Sequence, residues 1–245
     1  MRLPRGILYR LAQLKTERKG NSAVDKTAEF CYNENNMAKR GKFIVFEGTD
    51  GSGKSTQMKR LGHYLTERGV ECFFTNEPSQ GPVGALLRAC LTGRIEADEY
   101  TVAAMFAADR LDHINNPVDG IHKKLEEGVC VLCDRYYLSS FAYNGGFVPL
   151  DWVISLNAAA MEQLRPDLTV FLDLPAEEGM ERVLHRGSTE RYETLEKQTR
   201  IRENYFSLFK RFPEENVRIV RSEKDKELTQ KNLRAIADQL FGWQA

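Results

Sequence analysis

The sequence predicts an α/β fold of three layers, in which helices flank a parallel sheet of five strands. From residue 42 onward, short apolar runs alternate with helix-length segments. Apolar and polar residues do not alternate within these runs, which is typical of strands buried on both faces of a parallel sheet. The regular succession of strand and helix favours a doubly wound sheet.

Each element has its own signal in the sequence. The predicted strands are the apolar runs at residues 42–47, 70–75, 128–133, 167–172 and 216–220. The predicted helices span about residues 55–68, 83–91, 98–114, 117–127, 151–163, 194–212 and 228–241, with one more between Pro175 and Gly187. Gly69 and Gly128 end the helices before them, and Pro117 opens a helix because the first helical turn does not need its missing N–H.

Composition and charge exclude several classes of protein. The chain has 245 residues, with 35 basic and 35 acidic side chains and a formal charge of +0. No overall field therefore draws it to nucleic acid or to an anionic membrane. No apolar run approaches the roughly 18 residues of a membrane span. The five cysteines are an odd number, which favours free thiols in a reducing compartment and hence a cytoplasmic location.

Residues 1–36 differ from the rest of the chain, being basic at first and then polar. A secretory signal is excluded because this stretch has no apolar core of about seven residues or more. A transit peptide for an organelle remains an alternative. The favoured interpretation is a disordered or dispensable extension, with Met37 as a possible natural start. Residues 37–245 contain no repeat or linker and are predicted to be one domain.

The clearest motif is a phosphate cradle. Residues 48–55 read G-T-D-G-S-G-K-S and fit G-x-x-x-x-G-K-[ST], between a predicted strand and a predicted helix. Glycines let successive backbone N–H groups point at phosphate oxygens, and the helix N-terminus adds partial positive charge. Lys54 reaches the β/γ-phosphates and the Ser55 hydroxyl ligates Mg²⁺. The predicted ATP-binding residues are Gly48, Thr49, Asp50, Gly51, Ser52, Gly53, Lys54, Ser55 and Thr56.

A second charged pair follows the strand at residues 128–133. Asp134 and Arg135 stand at its carboxyl end, which is the ligand-binding edge of such sheets. Asp134 is predicted to hold Mg²⁺ directly or through water, and Arg135 to hold a second phosphate. The N-K-x-D and D-x-x-G motifs of a GTPase switch do not occur downstream of the loop.

Taken together, five motifs in one order resemble thymidylate kinases over about residues 40–242. They are E-G-T-D-G-S-G-K-S-T-Q at 47–57, N-E-P at 76–78, F-A-A-D-R at 106–110, D-R-Y-Y-L-S-S-F-A-Y at 134–143 and E-R-Y-E at 190–193. The resemblance implies a P-loop nucleoside monophosphate kinase domain over residues 37–245. It also implies Mg²⁺-dependent transfer of a phosphoryl group from ATP to dTMP, and a homodimer.

The resemblance implies how the base and sugar of dTMP are held. Phe106 would stack on thymine and Arg110 would hydrogen-bond the base edge. A single helix face can carry both, because they are four residues apart. Ser139 or Ser140 would complete base recognition. Tyr143 would pack against the deoxyribose and leave no room for a 2′-hydroxyl.

It implies further roles around the phosphates. Arg88 and Arg135 would clamp the monophosphate. Asp50 would bind the sugar 3′-hydroxyl or help to position the acceptor phosphate. Glu77 would sit near the magnesium and the acceptor.

One branch of these kinases places a catalytic arginine in the phosphate loop, where this chain has Gly51. The other branch supplies it from a short mobile lid. Residues 185–193 are polar and contain glycine, which suits such a lid. Arg186 and Arg191 are the candidates, with Arg182 one turn earlier, and the sequence does not choose between the first two. The predicted catalytic residues are thus Lys54, Asp134, Arg186 and Arg191.

Alternatives remain for function and for two local features. The chain could phosphorylate another nucleotide, since Asn144 follows Tyr143 where many relatives have a different residue. It could also bind nucleotide as a regulator without turnover.

Cys130 and Cys133 are predicted to point to opposite faces of a strand and to be buried packing residues. The helix at 151–163 has apolar positions on more than one side, which indicates a dimer face or a buried helix.

Overall fold

The computed structural model describes residues 40–184 and 194–243, apart from the side chains of residues 183 and 184. The strands are β1 (Phe43–Glu47), β2 (Cys72–Asn76), β3 (Cys130–Asp134), β4 (Leu168–Asp173) and β5 (Val217–Arg221). The helices are α1 (Lys54–Glu67), α2 (Pro82–Leu91), α3 (Glu99–Asn115), α4 (Ile121–Glu126), α5 (Tyr137–Tyr143), α6 (Leu150–Gln163), α7 (Ala176–Leu184), α8 (Leu195–Arg211) and α9 (Lys226–Phe241).

The strands form one parallel sheet in the order β2-β3-β1-β4-β5. The predicted five-stranded parallel sheet between helices is therefore confirmed. Strand β1 lies at its centre, and all five of its residues are buried. In the register, Phe46 is the partner of Asp134 in β3 and of Val170 in β4. The carboxyl ends of β1, β3 and β4 consequently lie together at one edge of the sheet.

Two apolar layers cover the sheet, one on each face. Phe43, Val45 and Phe171 pack on one face with residues of α5, α6 and α8. Ile44 and Phe46 pack on the other face with residues of α1 and α9. Fully burying an aliphatic or aromatic side chain of this size contributes about 1.5–3 kcal/mol. The unalternating apolar runs of β1, β3 and β4 thus reflect strands whose two faces are both covered. The edge strands β2 and β5 depart from this expectation, because most of their residues are only partly buried or exposed.

The two cysteines of β3 lie as predicted. Cys133 belongs to the first of these apolar layers and Cys130 to the second, and both are buried free thiols. Their opposite orientation follows from the period of two along a strand.

Most element ends agree with the sequence to within two residues, and one helix start does not. Helix α4 begins at Ile121, not at Pro117. The side chain of Asn116 accepts the N–H of Val118 (2.9 Å), and its carbonyl accepts the N–H of Gly120 (2.9 Å). These bonds close a turn around residues 117–119, so Pro117 belongs to that turn. The short helix α5 and the 3₁₀ turn Asn144–Gly146 after it were not predicted.

Within the described ranges, no helix is both long enough and apolar enough to cross a lipid bilayer.

Candidate active site

The phosphate loop runs from the end of β1 to the start of α1, and its backbone requires glycine. Gly51 and Gly53 have φ values of 80° and 86°, a region that side chains with a Cβ rarely adopt. A Cβ on Gly51 would also clash with the carbonyl of Gly179 in α7. An arginine at this position would meet the same clash, which gives a physical reason for Gly51 in this chain.

The Lys54 ammonium lies inside the loop. Its Nζ donates to the carbonyls of Gly48 (3.1 Å) and Thr49 (2.9 Å). Burial, together with the positive charge of Arg135, lowers the pKa of Lys54 to about 8. The amine is thus held in place for a phosphate, whose negative charge would favour its protonated form.

Ser55 and Asp134 meet across the edge of the sheet. The Ser55 hydroxyl donates to Oδ2 of Asp134 over 2.6 Å. They come together because β1 and β3 are neighbours and end in register. Both residues line a cavity of about 500 Å³ beside Lys54. A hydroxyl and a carboxylate are hard oxygen donors of the kind that Mg²⁺ prefers, so the donor set fits this ion.

Arg135 connects the phosphate loop with α5, the helix that begins two residues after Arg135. Its Nη2 pairs with the Asp50 carboxylate, and its Nη1 donates to the Gly48 carbonyl (3.1 Å) and to Ser139 Oγ (3.2 Å). The guanidinium carbon lies 4.7 Å from the centre of the Tyr143 ring. Arg135 also has a φ of 76° although it is not glycine. Such strain is typical of functional positions that the surrounding structure holds in place.

Asp50 has a second set of partners that the sequence did not indicate. Gln198 in α8 accepts the N–H of Asp50 (3.0 Å) and donates Nε2 to Asp50 Oδ2 (2.7 Å). The Tyr143 hydroxyl donates to the same oxygen over 3.3 Å. Burial raises the pKa of Asp50, but the charges of Arg135 and Lys54 and these hydrogen bonds outweigh it, so the net pKa is lowered. Asp50 therefore stays ionised.

A second cavity, of about 100 Å³, is also lined by Arg135. Asp50, Glu77 and Arg135 line both cavities. The sequence-predicted substrate residues that line the smaller cavity are Asp50, Glu77, Phe106, Arg110, Arg135, Ser139, Ser140 and Tyr143. The fold thus brings eight of the nine predicted substrate residues around one space.

Comparison with known proteins gives a consistent answer. The family model described as thymidylate kinase matches residues 46–233. A probable thymidylate kinase of Thermococcus kodakarensis is 38% identical over 210 residues, which are 82% of this chain and 98% of the relative. The chain belongs to the thymidylate kinase family. A probable thymidylate kinase of Pyrococcus horikoshii is 40% identical over 182 residues, covering 71% of this chain and 86% of the relative. The thymidylate kinase of Limosilactobacillus fermentum is 39% identical over 198 residues, covering 77% and 89%. The resemblance read from the motifs is confirmed, and with it the expectation of a phosphotransferase.

In this member of the thymidylate kinase family, Arg110 is a buried anchor, with 1% of its surface exposed. Its Nε and Nη2 donate to Glu77 Oε2 at 2.8 and 2.6 Å. Its Nη1 donates to Ser140 Oγ (3.1 Å) and to the side-chain oxygen of Asn157 in α6. Removing one partner of such a buried pair costs about 3–5 kcal/mol. Asn157 is a further residue that sequence reasoning missed, because an amide in a helix carries no local signal.

Arg88 is the predicted substrate residue that lines neither of these two cavities. Its Nη1 donates to the carbonyl of Pro78 (3.1 Å) and to that of Ser79. Ser79 is itself held by Asp109, through its N–H (2.7 Å) and its hydroxyl (2.6 Å). Arg88 thus braces the segment after Glu77, and its phosphate contact stays a prediction.

In this thymidylate kinase fold a third cavity, of about 420 Å³, lies between the phosphate loop and α7. Gly51, Gly53, Arg182 and Ser222 are among its lining residues. Nη1 of Arg182 donates to the Gly51 carbonyl (3.4 Å) and to Ser222 Oγ (3.3 Å). Arg186 and Arg191 lie outside the described residues, so their placement in the predicted lid stays a prediction.

Proposed function

We propose that this protein transfers the γ-phosphoryl group of ATP to dTMP in the presence of Mg²⁺, giving ADP and dTDP. The observation that carries the proposal is the pair of cavities that share Asp50, Glu77 and Arg135. Phosphoryl transfer needs a donor phosphate and an acceptor oxygen in line, so two sites that meet at charged side chains suit it. Membership of the thymidylate kinase family supports the choice of acceptor.

On the donor side, the loop N–H groups and Lys54 hold the phosphates of ATP. Ser55 and Asp134 would hold Mg²⁺, which neutralises phosphate charge when it is bound. The base and ribose of ATP extend into the third cavity, between the phosphate loop and Arg182. No residue has to act as a strong base, since positioning and electrostatic stabilisation supply most of the catalysis.

On the acceptor side, Phe106 and Arg110 contact the thymine, and Ser140 fixes Arg110. Tyr143 packs on the deoxyribose, while Arg135 binds the acceptor phosphate. Asp50 lies between donor and acceptor, where it binds the 3′-hydroxyl or positions the phosphate. Arg88 remains a candidate for a second phosphate contact.

Residues 185–193 form the lid of this proposal, and Arg186 or Arg191 stabilises the transferring phosphoryl group. An arginine in this role is worth about 10³-fold or more in kcat. Arg186→Ala and Arg191→Ala, measured separately, are expected to divide into one variant with this loss and one with a much smaller loss.

The chain is further proposed to act as a homodimer in the cytoplasm, with residues 1–36 dispensable for catalysis. Leu86 on α2 and Tyr100 on α3 are exposed apolar side chains that such an interface would cover. Sedimentation velocity of the full chain would measure the association directly.

The deciding experiment measures ADP release from Mg-ATP with dTMP, dUMP, dCMP, dGMP, AMP, UMP and thymidine as acceptors. The full chain and a chain that starts at Met37 are compared. Strong turnover with dTMP, weak turnover with dUMP and none with UMP is expected from both chains. A different preferred acceptor would refute the thymine pocket, and ATP binding without turnover of any acceptor would favour the regulatory alternative.

A further inference from the structure

Glu47, the last residue of β1, is a fully buried carboxylate that lines neither of the cavities shared by Arg135. It has no exposed surface. Four donors surround it. Oε1 accepts the backbone N–H groups of Tyr136 (3.0 Å) and Ser139 (3.2 Å), while Oε2 accepts the hydroxyls of Ser139 (2.5 Å) and Tyr205 (2.8 Å). A buried carboxylate is tolerated only with such complete hydrogen bonding.

These bonds enclose the strained backbone of Arg135. The N–H of Arg135 donates to the carbonyl of Phe46 over 2.9 Å. The next N–H along the chain, that of Tyr136, donates to Glu47. Two successive residues of β1 therefore hold both sides of a residue whose φ is 76°. A left-handed conformation at a residue with a long side chain persists only when its surroundings impose it.

Glu47 also acts on the guanidinium itself, through Ser139. The Ser139 hydroxyl donates its hydrogen to Glu47 and accepts one from Nη1 of Arg135 over 3.2 Å. A hydroxyl has one hydrogen to donate. The carboxylate thus orients the Ser139 oxygen so that its lone pairs face Arg135. In this way one carboxylate constrains Arg135 at its backbone and at its side chain.

We propose that Glu47 is a positioning residue for acceptor binding. It holds Arg135 in the orientation in which the guanidinium binds the phosphate of the nucleoside monophosphate. The inference rests on the proposed function and assigns to that site a group that does not line either of the cavities sharing Arg135. If Glu47 positions Arg135, neutralising Glu47 weakens dTMP binding, whereas its charge alone predicts the opposite. A negative charge near a phosphate site repels the phosphate, so neutralising Glu47 would tighten dTMP binding if position did not matter.

The test compares two carboxylate–tyrosine pairs in the same protein. Glu47→Gln and Tyr205→Phe alter the pair behind Arg135. Glu215→Gln and Tyr137→Phe are the matched controls, because Tyr137 donates to buried Glu215 over 2.8 Å and neither residue lines either cavity. The measurements are KM for dTMP, KM for ATP, and the dissociation constant of dTMP by calorimetry.

We expect Glu47→Gln to raise both KM and the dissociation constant for dTMP about tenfold or more, since a bond to a charged group is worth that much. Tyr205→Phe removes one of four donors and should give a smaller rise in the same direction. KM for ATP should change less than about twofold in both variants, and the control pair should leave both KM values near wild type. If Glu47→Gln does not fold, Tyr205→Phe decides the question.

Unchanged or tighter dTMP binding in Glu47→Gln, or a response of Tyr205→Phe equal to that of Tyr137→Phe, would overturn the inference while the proposed function stands. A wild-type protein that turns over no monophosphate would overturn the proposed function, and this inference with it. If another monophosphate is the preferred acceptor, the same comparison is made with that nucleotide.

Discussion

Gln198 binds the phosphate-loop residue Asp50 at two points, its backbone N–H (3.0 Å) and its carboxylate (2.7 Å). The two residues are 148 positions apart in the chain. Gln198 lies in the first turn of α8, shortly after the segment predicted to form the lid. The side chain thus joins the phosphate loop to the helix that follows the predicted lid segment.

Replacing Gln198 by alanine should therefore impair catalysis beyond its effect on stability. Asp50 would lose two hydrogen bonds, one of them to its charged form, and such a bond contributes about 1.5–3 kcal/mol. We expect kcat/KM for dTMP to fall about tenfold or more. Gln230→Ala is the matched control, because Gln230 is a buried glutamine of α9 whose side-chain amide has no hydrogen-bond partner in the described residues. Equal losses of kcat/KM in the two variants would contradict the prediction.

Lys54 should control how activity depends on pH in the alkaline range. Its pKa is lowered to about 8, and only the protonated amine can bind phosphate as a cation. We expect kcat/KM for ATP, which reports the free enzyme, to fall above about pH 8. The kcat profile should fall at a higher pH, because bound phosphate raises the pKa of Lys54. Initial rates across pH 7–10 measure both, and coincident profiles would contradict the assignment.

The same shift predicts a change in stability with pH. Lys54 releases its proton at about pH 8 in the folded protein but near pH 10.4 in the unfolded chain. Between these values the unfolded state binds more protons, so the contribution of Lys54 to the free energy of unfolding rises with pH. Urea denaturation of wild type and Lys54→Met across this window tests it. The difference in unfolding free energy, wild type minus variant, should increase from pH 8 to pH 10, and a constant difference would refute the claim.

Asp134 should determine how much Mg²⁺ the reaction needs. Asp134→Asn keeps the shape of the side chain and removes its charge, which weakens a site of few protein ligands. We expect the Mg²⁺ concentration for half-maximal activity to rise about tenfold or more. Asp173→Asn is a suitable control, because Asp173 ends β4 at the same edge but pairs with Arg202 over 2.6 Å. A Mg²⁺ requirement that shifts equally in both variants would speak against a metal role for Asp134.

The ring of Tyr143, and not its hydroxyl, should exclude ribonucleotides. The ring is buried at 8% exposure and lines the smaller cavity. Tyr143→Ala opens this space, so UMP should become an acceptor, and the ratio of kcat/KM for dUMP to that for UMP should fall about tenfold or more below its wild-type lower limit. Tyr143→Phe keeps the ring and removes the hydroxyl that donates to Asp50, and should retain the preference. An unchanged ratio in the alanine variant would show that another group discriminates the sugar.

Local signals in the sequence predicted most of the fold. The side chain of Asp98 caps the start of α3 by accepting the N–H of Thr101 (2.9 Å). Gly69, with a φ of 83°, ends α1. Both effects act within a few residues, so they can be read from the chain itself. The start of α4 could not be read in this way. There the turn closed by Asn116 competes with the preference of Pro117 for a first helical turn.

By itself, the sequence determined the phosphate loop, the strand that precedes it and the placement of Asp134 and Arg135 at the edge of a parallel sheet. Each follows from residue spacing and from the rule that parallel strands end at a common edge. Only the tertiary structure decided which side chains hold those groups. Glu47 meets Tyr205 across 158 residues, and Asp50 meets Gln198 across 148. Such pairs arise because helix α8 packs against the sheet, and no period or motif within the chain encodes that contact.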